Sequence, residues 1–207
     1  MKETKSHWEE VYNKKSYKDA SWYQEKPETS LKFIAELDLP ECSKIIDVGG
    51  GDSNLVDYLL KEGYRDISVL DISAKALGKA KTRLNNDAEK VNWIVADASE
   101  FEATQVYHLW HDRAAFHFLT EEKQIENYIR TLENSVASGG FVILATFSKE
   151  GPVKCSGRTI KQYSKEDLQA LLQDKFALLK CENLDHKLQP GRFRILHFVV
   201  LEKNKIL

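Results

Sequence analysis

The stretch "KIIDVGGGDSNLVDYLL", Lys44 to Leu60, constrains the fold more than any other. Lys44–Val48 is apolar, too short for a helix, and stopped by Gly49, Gly50 and Gly51. A helical pattern then presents Leu55, Val56, Leu59 and Leu60 on one side. Strand, glycine turn and helix in that order start a βαβ unit. The pattern recurs along the chain. Ile67–Leu70 reads as a strand ending at Asp71, and Ser73 is placed to cap a helix that buries Leu77, Ala80 and Leu84. Val91–Ala96 is a third strand, ending at Asp97, and Val106–Trp110 a fourth, ending at His111–Asp112. A helix capped by Thr120 shows Ile125, Tyr128, Ile129, Leu132 and Val136 at helical spacing, Gly139–Gly140 ends it, and Phe141–Phe147 is a fifth strand. Alternation of this kind predicts a doubly wound α/β fold, a mostly parallel sheet with helices on both faces.

Both ends of the chain differ from this core. Ahead of it, Trp8, Val11 and Tyr12 fall at helical spacing, and a second helix over 28–37 presents Leu31, Ile34 and Ala35. Behind it, Ser164-Lys165-Glu166-Asp167 resembles a capping box opening a helix that runs to about Gln173. Strands at Phe176–Cys181 and Ile195–Leu201, joined by a polar loop with Pro190-Gly191, predict an antiparallel pair at the sheet edge.

The bulk numbers exclude several function classes. The 207 residues suit a single domain, and a formal charge of −2 builds no basic field for a nucleic-acid backbone. Lys14-Lys15 reads as solvated surface. No apolar run approaches a membrane span, and the charged N-terminus has no secretory h-region. Cys42, Cys155 and Cys181 are odd in number and widely spaced, which argues for a reducing, cytoplasmic setting and against a disulfide framework. His108, His111 and His117 lack a carboxylate that would complete a metal ligand set, so no metal is expected.

Asp47, Asp71, Asp97 and Asp112 all stand at predicted carboxyl ends of strands, the edge where open α/β sheets bind ligands. A dinucleotide is one candidate. Its G-x-G-x-x-G fingerprint is met by Gly49 and Gly51, with Asp71 an acid at the expected distance, but Asn54 occupies the third glycine's place. Asp47 weighs against it further. A pyrophosphate sits at the helix N-terminus, and a carboxylate about 4 Å away would cost roughly 1–4 kcal/mol. The same carboxylate suits a nucleoside that carries an ammonium and a sulfonium.

With these residues in view, the chain resembles the class I, seven-stranded, Rossmann-like SAM-dependent methyltransferases, in particular bacterial members of undefined substrate. "IIDVGGGDSNLVDYL" is similar to their first motif, "ISVLDIS" to the acidic end of the second strand, and "VNWIVADAS" to the turn after the third. The resemblance implies S-adenosylmethionine as cofactor. It implies that Gly49, Gly50 and Gly51 bring backbone against it, with Asp47 near the methionine ammonium. Asp71 would hold the ribose diol, Ile72 would lie against adenine, and Asp97 and the Ala98 N–H would contact the adenine edge. The implied sheet has seven strands with an antiparallel C-terminal edge pair and N-terminal capping helices. The implied layout is one domain: a cap over 1–40, a cofactor-binding core over 41–150, and edge strands with an acceptor side over 151–207.

In this family the segment ahead of the first strand often covers the cofactor. Trp8, Tyr12 and Trp22, in a run that also holds Tyr17 and Tyr23, would then wall the methionine end, or else pack the first helix on the sheet. A sulfonium over an aromatic face gains roughly 0.5–2 kcal/mol. "HLWHDRAAFHFLT" is similar to the post-strand segment of some members, where His111 would lie near the cofactor. Asp112 or His117 would orient the acceptor or take its proton, the bland alternative being an Asp112–Arg113 ion pair and a packed His117. The segment also resembles, with Arg113 and Ala114 for lysine and glycine, an Asp-Lys-Gly run of certain protein-lysine methyltransferases. Arg158, Lys161 and Tyr163 are further acceptor-side candidates. A small-molecule acceptor is expected first and a protein lysine second, with an NAD-dependent oxidoreductase and a non-catalytic SAM-binding module as rivals.

Overall fold

The structure is a computed structural model that describes residues 2–14, 18, 20–188 and 192–205. Tyr17 and the Pro190-Gly191 turn lie outside the described residues. The chain divides into two compact units, 1–98 and 99–207. Its seven long strands make the expected mixed sheet, parallel but for an antiparallel edge pair.

The first unit opens with α1 (Lys2–Lys14) and α2 (Glu28–Glu36). Then β1 (Lys44–Val48), α3 (Leu55–Lys61), β2 (Asp66–Asp71), α4 (Ala74–Leu84) and β3 (Val91–Val95) alternate. The strands are parallel in the order β3-β2-β1, with Asp47 beside Val69 and Asp71 beside Val95. Ile45, Ile46 and Val48 in β1 and Val69 and Leu70 in β2 are buried, as strands covered on both faces require. Edge strand β3 is only partly buried. Helix α3 buries Leu55, Val56 and Leu59, and α4 buries Ala76, Leu77 and Ala80. Ser73 caps α4 as expected, its hydroxyl accepting from the Ala76 N–H at 3.1 Å. Two apolar stripes shift: α2 buries Phe33 in place of Ala35, and Leu84 is half-buried where the chain leaves the helix at Asn85 (φ 52°).

The second unit holds β4 (Tyr107–Arg113), a 3-10 turn at Phe116–Phe118, α5 (Glu122–Ser135) and β5 (Val136–Phe147). A small hairpin of β6 (Lys154–Cys155) and β7 (Arg158–Thr159) follows, then α6 (Lys165–Leu172), β8 (Phe176–Leu188) and β9 (Arg192–Lys203). Strands β4 and β5 are parallel, and β9 lies antiparallel between β5 and edge strand β8. Four expectations change here. β4 continues through Arg113, so His111 and Asp112 lie inside the strand. Helix α5 is capped by Glu121 in a reciprocal box with Gln124, one residue after Thr120. It ends at Ser135, because Val136 is already extended and Gly139 (φ 71°) is accommodated within β5. The edge strands reach several residues beyond their apolar cores, since ladder hydrogen bonds do not need apolar side chains. Ser164 and Asp167 form the predicted capping box.

Candidate functional site

In the first unit the glycine turn is built by space as much as by torsion. Gly49 and Gly51 have φ of 69° and 53°, where a side chain is strained. Gly50 is required for a different reason: a Cβ there would stand 2.5 Å from Asp47 Oδ2 and 2.8 Å from Val69 Cγ1. The Gly49 and Gly50 N–H groups donate to the Leu70 carbonyl at 2.7 and 3.1 Å, which ties the turn to the end of β2. Asn54, in the place of a third glycine, has its own task. Its amide donates to the carbonyls of Gln24 and Glu25 at 3.2 and 3.0 Å and fastens the N-terminal segment to the turn.

Asp71 is 6% exposed. Its Oδ1 accepts from the Ser73 N–H at 2.8 Å, and its Oδ2 faces the turn, 3.2 Å from where a Gly51 Cβ would be. Burial pushes its carboxyl up to about 7, against the Ser73 hydrogen bond and aided by the charges of Asp52, Asp47 and Glu9. Burial likewise pushes Asp52 up to about 6, against Lys79 and Arg83. Four carboxylates therefore gather at one rim, two of them at strand ends read from the sequence. Asp97 follows β3 by two residues and is half-buried. The turn that carries it is held by the Ala96 N–H donating to the Asp71 carbonyl at 3.1 Å. Ile72 and Ala98 are also half-buried beside these strand ends.

Helix α1 is fixed to the same rim. Glu9 accepts from the Ala74 N–H at 2.7 Å, and Lys79 donates to the Tyr12 carbonyl. The Tyr12 hydroxyl is 2.5 Å from the Gly51 Cβ position, so any other residue there would have to displace it. Trp8, Tyr12 and Trp22 form one aromatic cluster, with centroid separations of 6.1, 6.2 and 5.9 Å. Packing and cofactor-walling are thus compatible uses of the same rings. Arg83 braces the turn from α4, donating to the Asp52 and Ser53 carbonyls at 2.9 and 2.8 Å while paired with Asp57 at 2.7 Å.

In the second unit Asp112 is fully buried and its oxygens are engaged. Oδ1 accepts from the N–H groups of Ala115 and Phe116 at 2.8 and 3.2 Å. Oδ2 accepts from the Tyr128 hydroxyl at 2.7 Å, which itself accepts from Trp110 Nε1 at 2.9 Å. Burial pushes Asp112 up to about 6 against these hydrogen bonds and the His111 charge. Tyr128 and the 115–116 backbone are partners that hold it. The carboxylate sets the loop after β4, where Ala114 has φ 71°. His117 is fully buried in the 3-10 turn and stacks on Phe147 (4.8 Å, 14°), while His111 is 1% exposed. Tyr163 is buried, stacked on Phe116 at 5.2 Å, and burial pushes its hydroxyl well above the usual tyrosine range. Lys161 ties its segment to the turn, its N–H donating to the His117 carbonyl at 2.8 Å. Among the described residues, no group of three or more His, Cys, Asp or Glu side chains could hold a metal ion.

Glu9, Asp52, Asn54, Lys79 and Arg83 in the first unit, and Tyr128 in the second, take part in these arrangements and were not among the residues expected to do so. Only Asp52 and Asn54 lie inside a motif, and Asn54 had registered there as a missing glycine.

Residues 45–140 match the family model for a methyltransferase domain. This match spans just under half of the chain, and with the seven-stranded mixed sheet it agrees with a class I, Rossmann-like methyltransferase fold. The chain is 26% identical over 200 residues to malonyl-[acyl-carrier protein] O-methyltransferase 2 of Ilyobacter polytropus, covering 91% of this chain and 74% of the relative. Its fold is shared by N-methyltransferase NodS from Bradyrhizobium japonicum, solved with S-adenosyl-L-homocysteine (TM-score 0.73, 14% identity, 94% of this chain and 97% of that one). It is shared as well by Burkholderia thailandensis 1,6-didemethyltoxoflavin-N1-methyltransferase, solved with 1,6-didemethyltoxoflavin and S-adenosylhomocysteine. That match has a TM-score of 0.71 at 15% identity over 98% and 85% of the two chains. Both neighbours are solved with S-adenosylhomocysteine, and the residues of the rim suit a nucleoside of that kind in its charged form: acidic side chains for a positive charge, and a turn stripped of Cβ atoms.

Proposed function

We propose that this enzyme transfers the methyl group of S-adenosylmethionine to a small-molecule acceptor, in a cytoplasmic setting that suits its three free cysteines. The observation that carries the cofactor assignment to individual residues is Asp71. One oxygen is pinned by Ser73 and the other is presented across the glycine turn, as a ribose diol requires. In this reading Asp47 faces the ammonium, and Gly49, Gly50 and Gly51 admit the nucleoside close to backbone. Ile72, Asp97 and Ala98 take the adenine, and Trp8, Tyr12 and Trp22 shed water from the methionine end.

The chemistry asks little of the protein beyond alignment. The leaving group is a neutral thioether, so in-line attack from about 3 Å gains several kcal/mol from proximity alone. A base is needed only for an acceptor that is protonated at its attacking atom. His117 is the proposed group for that role or for orienting the acceptor, and His111 is assigned to the cofactor side. Asp112 acts as a positioning residue, through the backbone N–H groups that it holds. The small-molecule preference is supported by the named substrate of the Burkholderia protein and by a net charge of −2. The dinucleotide alternative has lost its footing, since Asp47 stands against a pyrophosphate and Asn54 serves as a clamp.

The test is calorimetry with S-adenosylmethionine, S-adenosylhomocysteine and NAD, followed by labelled-methyl transfer into a fractionated lysate. Binding of the first two without NAD, and label in the metabolite fraction, is the expected result. Label in protein would move the acceptor to a lysine side chain. A cofactor that binds without any turnover would mark a binding module.

A further inference from the structure

Asp52 is the one carboxylate of the rim that the roles above leave unused. It sits between Gly51 and Asn54, in the turn itself, and is 1% exposed. Neither of its side-chain oxygens has a hydrogen-bond partner. Asp71 is anchored by Ser73, and Glu9 by Ala74. The two nearby cations leave the Asp52 side chain without a hydrogen bond. Arg83 donates to the Asp52 main-chain carbonyl, to Ser53 and to Asp57, and Lys79 donates to Tyr12. A buried acceptor left without a donor is among the costlier arrangements in a folded chain, and the charges of Lys79 and Arg83 offset only part of the burial. Its neighbours worsen the position, because Asp52 and Asp71 are close enough for the charge of one to bear on the other. A metal ion could relieve this, but the described residues supply no ligand set. A bound organic cation would relieve it.

We propose that Asp52 is a counter-ion for the positive charge of the bound cofactor, holding the charged methionine end of the nucleoside where Asp71 holds its ribose. The assignment rests on the cofactor reading above and adds a second anionic contact from within the turn. It also explains an otherwise unfavourable residue choice. Position 52 faces no torsional demand for aspartate and makes no cap, and a neutral residue of similar size would make the empty turn more stable.

The experiment compares wild type with Asp52→Asn. Three quantities are measured: the Kd of S-adenosylmethionine, the Kd of 5′-methylthioadenosine, and the thermal midpoint of the cofactor-free protein. The second ligand keeps adenine, ribose and sulfur but carries neither ammonium nor sulfonium. A counter-ion predicts that S-adenosylmethionine binds about tenfold or more weakly to the variant. Methylthioadenosine should change less than about twofold, and the cofactor-free midpoint should hold or rise, as expected when an unpaired buried charge is removed. Three results would overturn it: unchanged affinity for S-adenosylmethionine, equal loss for both ligands, or a lowered midpoint in the empty protein. Should the Asn variant not fold, Asp52→Thr gives the same three readings with a smaller neutral side chain. Failure of the wild type to bind either ligand would instead overturn the cofactor assignment, and this proposal with it.

Discussion

Asp71 shows how one side chain can be fixed and available at once. The Ser73 N–H holds Oδ1, so the carboxylate cannot rotate, and Oδ2 stays directed at the turn. Replacing it removes two charge-assisted hydrogen bonds to a ribose diol, each about 1.5–3 kcal/mol. Asp71→Ala is therefore expected to raise the Kd for S-adenosylmethionine by two orders of magnitude or more. An unchanged constant in a folded variant would remove the ribose assignment. Asp112 is the opposite case, a carboxylate whose oxygens are spent on the protein. The contrast between two substitutions tests its positioning role. Asp112→Asn keeps an acceptor for the Ala115 and Phe116 N–H groups, so its thermal midpoint and activity should fall modestly. Asp112→Ala strands those donors and the Tyr128 hydroxyl, at about 1–3 kcal/mol for each buried group left unsatisfied. Equal loss of turnover in both variants, with both folded normally, would instead make the carboxylate itself catalytic.

Among the elements, β1, β2 and their turns were legible because the determinants are local. An apolar run, a glycine stop and a capping serine fall within a few residues of one another, and Asp47 and Asp71 are placed by the strands they end. Helix α1 was legible as a helix but not as a fixed part of the rim. Its anchors, Glu9 to Ala74 and Tyr12 to Lys79, join residues more than sixty positions apart and leave no periodic trace. The end of β4 was misread for a related reason. Polar residues at 111–113 look like a loop, yet the strand continues because Tyr128, on another element, supplies the partner that lets Asp112 be buried. The hairpin of β6 and β7, two residues a side, has too little pattern to be seen. The sequence does not reveal what a side chain at Gly50 would meet, which is the Asp47 carboxylate and Val69. Gly50→Ala should accordingly displace the Asp47 carboxylate, lowering both the midpoint of the empty protein and the affinity for S-adenosylmethionine. Binding and midpoint at wild-type levels would show that the turn relaxes without moving that carboxylate.

For the whole molecule, these buried acids tie stability to pH in a direction opposite to the usual behaviour of paired carboxylates. Asp71 at about 7, Asp52 at about 6 and Asp112 at about 6 all lie above the ordinary value of 3.8. A carboxyl raised on folding binds its proton more tightly in the folded state. Its contribution is complete below pH 4 and is lost as pH rises through the folded value, so the loss falls between about pH 4 and pH 8. Asp167, Glu10, Glu150 and Glu166, lowered on folding, act in the other direction at more acid pH, and His197, also lowered, loses stability as pH falls through its own range. The four acids are at least partly exposed, and screening leaves them small. Between pH 6 and 8 the buried acids dominate. The cofactor-free midpoint should fall by a few degrees over that interval, at roughly 2–4 °C per kcal/mol for a chain of this size. A cationic cofactor prefers the ionised rim, so its affinity should move oppositely, tightening on the order of tenfold between pH 5.5 and 8 as Asp71 and Asp52 lose their protons. Thermal shift with and without S-adenosylmethionine across this range reads both effects at once. The gap between the two curves should widen with pH, narrow at high pH in Asp71→Asn and Asp52→Asn, and remain at wild-type width in Asp112→Asn. A gap independent of pH in the wild type would mean that the rim is already ionised when empty, and that the cofactor's charge is met elsewhere.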